Sequence, residues 1–204
     1  MSEPVARLLI ELEDITPRIW RRVDVPAAIT LSTLHDVLQA VMRWEYSHLY
    51  EFRVGDRAYG DPLPGLESAS GQIYKAKGIR LNQLMDRGVD HFTYVYDFGD
   101  DWRHSIRVES VRDGDLDTDY PVFVEGERRA PPEDVGGMPG FMDFLDAIAD
   151  PSHSEHAFLL DWAGGAFDPE DIERREIEFD LATLAEFRRR VRAGHRSRAR
   201  KKAH

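Results

Sequence analysis

The sequence predicts an α+β protein: a β-grasp-like mixed sheet around one helix at about residues 30–43, followed by a mainly helical C-terminal extension. Three observations predict this class. Two β-rich runs precede an amphipathic helix, further strand-like runs follow that helix, and the apolar spacing becomes helical after Gly126. The order strand, strand, helix, strand, short turn, strand is that of the β-grasp fold. Another α+β sandwich with a helix on one sheet face is the alternative.

The first two strands are predicted at residues 5–12 and 19–25, joined as a hairpin through residues 14–17. In the second run Ile19, Arg21, Val23 and Val25 alternate with their neighbours, which favours a strand. Pro26 ends this strand because proline has no N–H to donate to a neighbouring strand.

The central helix is predicted from its cap and its apolar face. Thr30 is a residue type favoured at a helix N-cap. The apolar residues that follow recur at spacings of three and four, so they share one face of the helix. They are Leu31, Leu34, Val37, Leu38, Val41 and Met42.

Further strands follow the helix, and two irregular segments separate them. The strands are predicted at residues 48–54, 57–59, 91–96, 105–111 and 120–124. A stretch rich in Pro, Gly and Ser at residues 60–79 predicts a long loop, and residues 81–85 a short helical turn. Residues 97–104 predict an acidic turn.

The C-terminal part is predicted as short helices. Pro151 ends the first, Gly164 and Gly165 end the second, Asp168 begins the next, and Asp180 caps the last. We expect a single domain over residues 1–186, with a sheet-plus-helix part at 1–125 and a helical part packed on it at 126–186. Residues 187–204 are expected to be the end of the last helix and a disordered basic tail.

The composition excludes several classes of protein. The chain has no cysteine, which excludes disulfides, thiolate zinc sites and cysteine nucleophiles. No run approaches the roughly 18 apolar residues of a membrane span, so we expect a cytoplasmic protein without a membrane partner. An apolar content of 42% is enough for a sizeable core, which argues against disorder over the whole chain.

The net charge of −11 is unevenly distributed. Residues 187–204 hold nine Lys or Arg and no acidic residue, so this tail carries +9 and the rest of the chain −20. The acidic body repels nucleic-acid phosphate, and we therefore expect nucleic-acid contact only through residues 187–204. The candidates are Arg188, Arg189, Arg192, Arg196 and Lys201. The alternative is a solvated chain end without a partner.

Four segments in order resemble the plasmid pRiA4b ORF-3-like family. They are PRIWRR at 17–22, HLYEF at 48–52, YVYDFGDDWRH at 94–104 and GERRAPPEDVGG at 126–137. The resemblance spans about residues 5–185. It implies a plasmid- or mobile-element-associated protein and no particular activity, although relatives are often labelled insertion-element passengers and some resolvases.

Recombinase chemistry is not supported by the residues themselves. The serines have no Arg-rich N-terminal α/β context, and the last tyrosine, Tyr120, precedes the helical part. Relatives often carry a cysteine just before the PPED segment, where this chain has Ala130, so no thiol acts here.

The acidic turn holds the strongest candidate for chemistry. Carboxylate oxygens and one imidazole suit Mg²⁺, Mn²⁺ or Zn²⁺, and such an ion can activate water. The catalytic candidates are Asp97, Asp100, Asp101 and His104, and the candidate metal ligands are Asp97, Asp100, His104 and Glu133. The candidate binding residues are Tyr96, Trp102, His48, Glu133 and Asp134. Ordinary turn chemistry at Asp97 and Asp100, and a linker role for the PPED segment, are the alternatives.

Three functions follow from these candidates. The first is a binding or adaptor domain whose acidic-aromatic site, formed by the YDFGD-W-H turn and the PPED-GG loop, takes an unknown protein partner. The second is a divalent-metal-dependent hydrolase or nuclease using the cluster at residues 97–104. The third is a DNA-associated protein acting through its basic tail.

Overall fold

A computed structural model describes residues 2–62 and 71–202 and is built on one eight-stranded sheet. The strands are β1 (Pro4–Leu12), β2 (Trp20–Pro26), β3 (Tyr50–Val54), β4 (Arg57–Gly60), β5 (Ile73–Lys75), β6 (His91–Tyr96), β7 (Trp102–Asp113) and β8 (Val122–Glu127). The helices are α1 (Leu31–Met42), α2 (Leu81–Met85), α3 (Gly137–Ala149), α4 (His156–Trp162) and α5 (Arg174–Lys202). A single 3₁₀ turn at Ala76–Gly78 precedes α2.

The spatial order of the sheet is β5-β4-β3-β6-β7-β1-β2-β8. Strands β4 and β5 run parallel, and the other neighbouring pairs are antiparallel. The predicted α+β class is therefore confirmed, as are the mixed sheet, the central helix and the helical C-terminal part. The β-grasp likeness of the element order stays an interpretation.

Helix α1 forms where the sequence predicts it. The Thr30 side chain accepts a hydrogen bond from Thr33 N, and the helix ends at Arg43, which adopts a left-handed conformation with φ 61°. Its apolar face is buried in the main core together with the inner residues of β1, β2, β3 and β6. Burial of this face, rather than helix propensity, supplies most of the stability of a helix of this length.

Arg21 is the one charged side chain of the described residues with no exposed surface and no carboxylate partner. Its Nε donates to Val41 O at 2.9 Å, and one terminal nitrogen donates to Trp20 O and Glu127 O, both at 2.9 Å. The guanidinium thus joins β2, the last turn of α1 and the end of β8. Burial lowers the pKa of Arg21 to about 10, so the group is still charged at neutral pH.

Two predictions about β-structure were wrong in their bounds. Strand β7 begins at Trp102, not at 105, because the turn closes at residue 101 through a 2.6 Å hydrogen bond from Asp101 N to Asp97 O. The predicted loop at 60–79 contains β5, which pairs with β4. Residues 63–70 of that loop lie outside the described part of the chain.

Two predicted helix starts were also wrong. Asp168 caps no helix, because its Oδ1 accepts from Glu170 N in a turn and Pro169 O accepts a hydrogen bond from Arg129 N. Asp180 lies inside α5, which begins earlier because its residues Ile177 and Leu181 are already buried in the core.

Helix α5 continues to Lys202 and uses several of its basic residues within the chain. Arg188 donates to Tyr120 O at 2.5 Å, Arg192 lies 2.6 Å from Glu3, and Arg189 lies 3.5 Å from Asp119. The side chains of Arg196 and Lys201 lie outside the described ones. Among the described helices, none combines the length and the apolar character that a membrane crossing requires.

Candidate metal centre

The two predicted motifs meet in space. The turn between β6 and β7 (residues 97–101) packs against the loop that follows β8. Gly136 N donates to Asp100 Oδ2 at 3.2 Å. A Cβ on Gly137 would lie 2.8 Å from Asp100 O, and Gly137 also has φ +67°, so glycine is needed for this close approach.

Trp44 and Tyr96 connect this loop to the sheet. The two rings stack with centroids 4.7 Å apart, and Trp44 Nε1 donates to Pro131 O at 2.9 Å. The Tyr96 hydroxyl donates to Glu133 Oε1 at 2.9 Å and accepts from His48 N at 3.3 Å. These contacts hold the PPED segment over the end of β6 and bring Glu133 next to His48.

The Nε2 atom of His48 lies among three carboxylates. It is 3.1 Å from Asp134 Oδ1, 3.4 Å from Glu133 Oε2 and 3.6 Å from Asp97 Oδ2. This nitrogen is buried, and no described group is aligned to form a hydrogen bond with it. The arrangement concentrates three acidic groups on one imidazole nitrogen, which favours a cation at this point.

Two of the three acidic residues, Asp97 and Asp134, have a strained backbone conformation. Asp97 has φ 55° and Asp134 has φ 58°, a left-handed conformation that costs free energy for residues other than glycine. In Asp97 one carboxylate oxygen accepts from Gly99 N at 2.9 Å, while the other faces His48. The turn therefore presents one free oxygen of Asp97 to the cluster.

His48, Asp97 and Asp134 fit the spacing of metal ligands. One ligand atom from each lies within 4.8 Å of the others. Ligand atoms about 2.1 Å from a tetrahedral ion are about 3.4 Å apart, which is close to the 3.1 and 3.6 Å that separate Nε2 from the Asp134 and Asp97 oxygens. Glu133 Oε2 also lies 3.4 Å from Nε2, while Glu133 Oε1 accepts hydrogen bonds from Tyr96 and from Glu45 N at 2.7 Å.

The other predicted residues lie elsewhere. Asp100 accepts from Gly136, and Asp101 pairs with Arg103 at 2.5 Å on the surface. Trp102 and His104 belong to β7 and alternate with the exposed Arg103, so both point into the core. The structure therefore places neither in the cluster with His48, contrary to their assignment to the turn.

His104 is part of the aromatic core. It has no exposed surface and meets Trp44 edge-on, with ring centroids 5.3 Å apart. Burial lowers the pKa of His104 to about 3, which keeps the imidazole neutral. A neutral, enclosed imidazole among tryptophan and tyrosine rings serves packing in this structure.

A cavity of about 660 Å³ adjoins the cluster, and sequence reasoning missed most of its wall. His48 and Asp97 line one part, and Asp36, Tyr50 and Asp61 another. Asp36 sits at a polar position of an amphipathic helix, which normally faces water, so no signal in the sequence indicated a cavity.

The cavity perturbs the groups around it. Burial, together with the charge of Asp61, raises the pKa of Asp36 to about 6. Burial raises the pKa of Tyr50 to about 12 and lowers that of His35 to about 3. His35 is held by stacking on Tyr50 at 3.7 Å and by a 2.7 Å contact of Nδ1 with the Tyr94 hydroxyl.

Replacing Asp36 with asparagine is expected to stabilise the protein by about 1–2 kcal/mol at pH 7, allowing for partial solvent screening. Because the folded-state pKa of Asp36 is raised to about 6, the folded chain binds this proton more tightly than the unfolded chain. The carboxyl therefore reduces stability as pH rises from about 4 through about 6. The groups facing it are Asp61, Tyr46, Tyr50 and His35.

Urea unfolding of both proteins from pH 4 to pH 7 measures this effect. The stability difference is expected to be small at pH 4, to grow between pH 4 and 6, and to level off above that. A difference independent of pH, or a less stable Asp36→Asn variant at pH 7, would contradict the burial of an ionised Asp36.

Comparison with known proteins places the chain among relatives with this architecture. The family model described as Plasmid pRiA4b ORF-3-like protein matches residues 4–176. "Uncharacterized protein y4hQ" of Sinorhizobium fredii (strain NBRC 101917 / NGR234) is 44% identical over 166 residues, which are 81% of this chain and 84% of that protein.

A solved structure supports the same relationship. The crystal structure of the protein of unknown function MM3350 from Methanosarcina mazei Go1 superimposes with a TM-score of 0.76 and 32% identity. The match covers 86% of this chain and 98% of that one. From the sequence match over residues 4–176 and this likeness in fold, we conclude that the chain belongs to the plasmid pRiA4b ORF-3-like protein family.

Proposed function

We propose that the chain is a divalent-cation-binding protein in which His48, Asp97 and Asp134 hold the ion. The observation that carries this proposal is the buried Nε2 of His48, which lacks an aligned hydrogen-bond partner and lies 3.1–3.6 Å from three carboxylate oxygens. An ion bound there neutralises the carboxylates and gives Nε2 a partner. Glu133 supports the site by anchoring the loop to Tyr96.

The donor set favours Zn²⁺ or Mn²⁺ over Ca²⁺. One imidazole nitrogen with two carboxylate oxygens is common for transition metals, whereas Ca²⁺ takes six to eight oxygens. His48 and Asp97 also line the cavity, so an ion between them has an open side. Three protein ligands with an open position are typical of a catalytic or ligand-binding ion rather than a closed structural one.

Thermal unfolding with added Zn²⁺, Mn²⁺ or Mg²⁺ tests the proposal. An ion at 100 times its Kd stabilises the folded state by about 2.7 kcal/mol, which raises the Tm of a chain of this size by about 5–10 °C. His48→Ala and Asp134→Asn are expected to abolish the rise.

Asp101→Asn is the matched control, since Asp101 lies on the same turn but pairs with Arg103 outside the cluster. It is expected to keep the full rise. The proposal would be contradicted if none of the three ions raised the Tm, or if the rise persisted in both His48→Ala and Asp134→Asn.

A metal-dependent hydrolase is the second candidate, and the open side of the site favours it. Water on an ion beside His48 and Asp97 would face the cavity, where a substrate has room. Turnover of bis(p-nitrophenyl) phosphate or p-nitrophenyl acetate by the metal-loaded protein, lost in His48→Ala, would support hydrolysis. Turnover no faster than that of His48→Ala would leave the site as a binding site.

Binding of a protein partner remains our proposal for the surface around the cavity. Tyr46, Leu49 and Phe98 are exposed there and line it together with the acidic residues. Trp102, which is buried, is not available for such a contact. Nucleic-acid contact remains a proposal for residues 187–204 alone. Arg188, Arg189 and Arg192 pair with acidic residues of the chain, so fewer positive charges of this segment are left for phosphate groups.

A further inference from the structure

The 660 Å³ cavity is lined by further polar residues besides His48 and Asp97 of the metal cluster. They include Asp36 of α1, Tyr46 between α1 and β3, Tyr50 at the start of β3, and Asp61 after β4. Asp36 and Asp61 form no ion pair with any described residue. The charge of Asp61 raises the pKa of Asp36, and the charges of both raise the pKa of Tyr50. This part of the cavity is therefore acidic and lacks a described counter-charge.

Tyr50 carries an unsatisfied polar atom at the same place. Its side chain is only 6% exposed, and its hydroxyl forms no hydrogen bond of ordinary geometry with a described residue, although the Ser32 side chain lies beside it. Leaving a buried hydroxyl without a hydrogen bond destabilises the folded state. Since the ring is fixed by stacking on His35, the hydroxyl cannot turn away to water. Tyr50 is also one of the residues that line the cavity.

The aromatic ring of Tyr46 lines the cavity, and the backbone of this residue is strained. It has φ 61°, and its N–H donates to Gln39 Oε1 at 2.8 Å, which holds this conformation. The ring is half exposed and meets His35 edge-on at 5.5 Å. Aromatic faces attract cations, and strained residues concentrate at ligand sites.

We propose that this part of the cavity binds an organic cation, a primary ammonium or guanidinium group on a short apolar stem. Its N–H groups donate to the carboxylates of Asp36 and Asp61 and to the Tyr50 hydroxyl, and its stem lies along the Tyr46 ring. No third His or carboxylate of the described residues joins Asp36 and Asp61 at metal-ligand spacing, which favours an organic cation over a second metal ion. The proposal does not depend on the metal site.

NMR titration of the whole chain, first treated with EDTA, tests this assignment. The probes are n-butylammonium and n-butylguanidinium, with 1-pentanol as the neutral control of similar size. Capped Gly-Lys-Gly and Gly-Arg-Gly peptides present the same groups as side chains. We expect saturable changes in the NMR chemical shifts with the small organic cations and with the peptides, and no such changes with 1-pentanol.

Asp36→Asn is expected to weaken binding of the cations at least tenfold, and Tyr50→Phe by a smaller factor. Loss of binding in Asp36→Asn cannot come from unfolding, because that variant is expected to be more stable. Asp101→Asn is again the matched control and should bind like the parent protein.

Three outcomes would overturn the assignment. The first is that the cations and 1-pentanol shift the same NMR signals equally. The second is that Asp36→Asn binds the cations with the parent affinity. The third is that binding of the cations requires added Mn²⁺ or Zn²⁺. The last would assign the probe to the metal cluster. Cation binding without any metal-induced rise in Tm would retain this inference and reject the metal proposal.

Discussion

Replacing Arg21 with alanine is expected to lower the free energy of unfolding by about 3–5 kcal/mol, enough to unfold a marginally stable domain. The loss is large because the buried guanidinium donates hydrogen bonds to three backbone carbonyl groups from different parts of the fold. They are those of Val41, Trp20 and Glu127. The carbonyl of Val41 lies in the last turn of α1, where the helix dipole also favours a positive charge.

Urea unfolding at pH 7 measures this loss, and Arg18→Ala is the matched control. Arg18 is three residues away, half exposed, and 4.0 Å from Glu11, so its removal is expected to cost less than about 1 kcal/mol. Arg21→Lys is expected to recover only part of the loss, because an ammonium group cannot reach all three carbonyls in the fork geometry of a guanidinium. A cost for Arg21→Ala within 1 kcal/mol of that for Arg18→Ala would contradict the role of the buried cation.

Arg21 also shows how far the sequence predicts this fold. In the run 19–25 Arg21 shares its alternate positions with Ile19, Val23 and Val25, and the structure buries all four side chains. The sequence does not reveal what the charge meets there, because Val41 and Glu127 come from distant parts of the chain. Period-two and period-3.6 patterns predict which side is buried, whereas partners depend on the topology of the sheet.

The sequence likewise predicts the residues of the metal cluster better than it predicts their partners in space. His48, Asp97, Glu133 and Asp134 were all candidates on the sequence, and the structure brings their side chains together. His104 was assigned to the turn because it follows the acidic residues closely. The early closure of the turn at residue 101 makes it a strand residue, and alternation then turns it into the core. One misplaced strand end was sufficient to misplace a candidate ligand.

Replacing Trp44 with alanine is expected to cost about 3–5 kcal/mol of stability and to weaken ion binding at least tenfold. The stability loss follows from removing a buried ring that stacks on Tyr96 and meets His104 edge-on. The loss of ion affinity follows from the Trp44 Nε1 hydrogen bond to Pro131 O, because that loop carries Asp134. Thermal unfolding and ion titration of the same variant measure both effects.

Two variants separate the global effect from the local one. Trp20→Ala removes an equally buried ring that bonds Glu127 and touches no residue of the cluster, so it is expected to lose stability and keep ion affinity. Trp44→Phe keeps an aromatic ring on Tyr96 and loses only the hydrogen bond to Pro131. We therefore expect it to lower the free energy of unfolding by about 1 kcal/mol. If Trp20→Ala weakened ion binding as much as Trp44→Ala, Trp44 would act through overall stability alone. If Trp44→Ala destabilised the fold but bound the ion normally, the loop would hold Asp134 in place without the bond to Pro131.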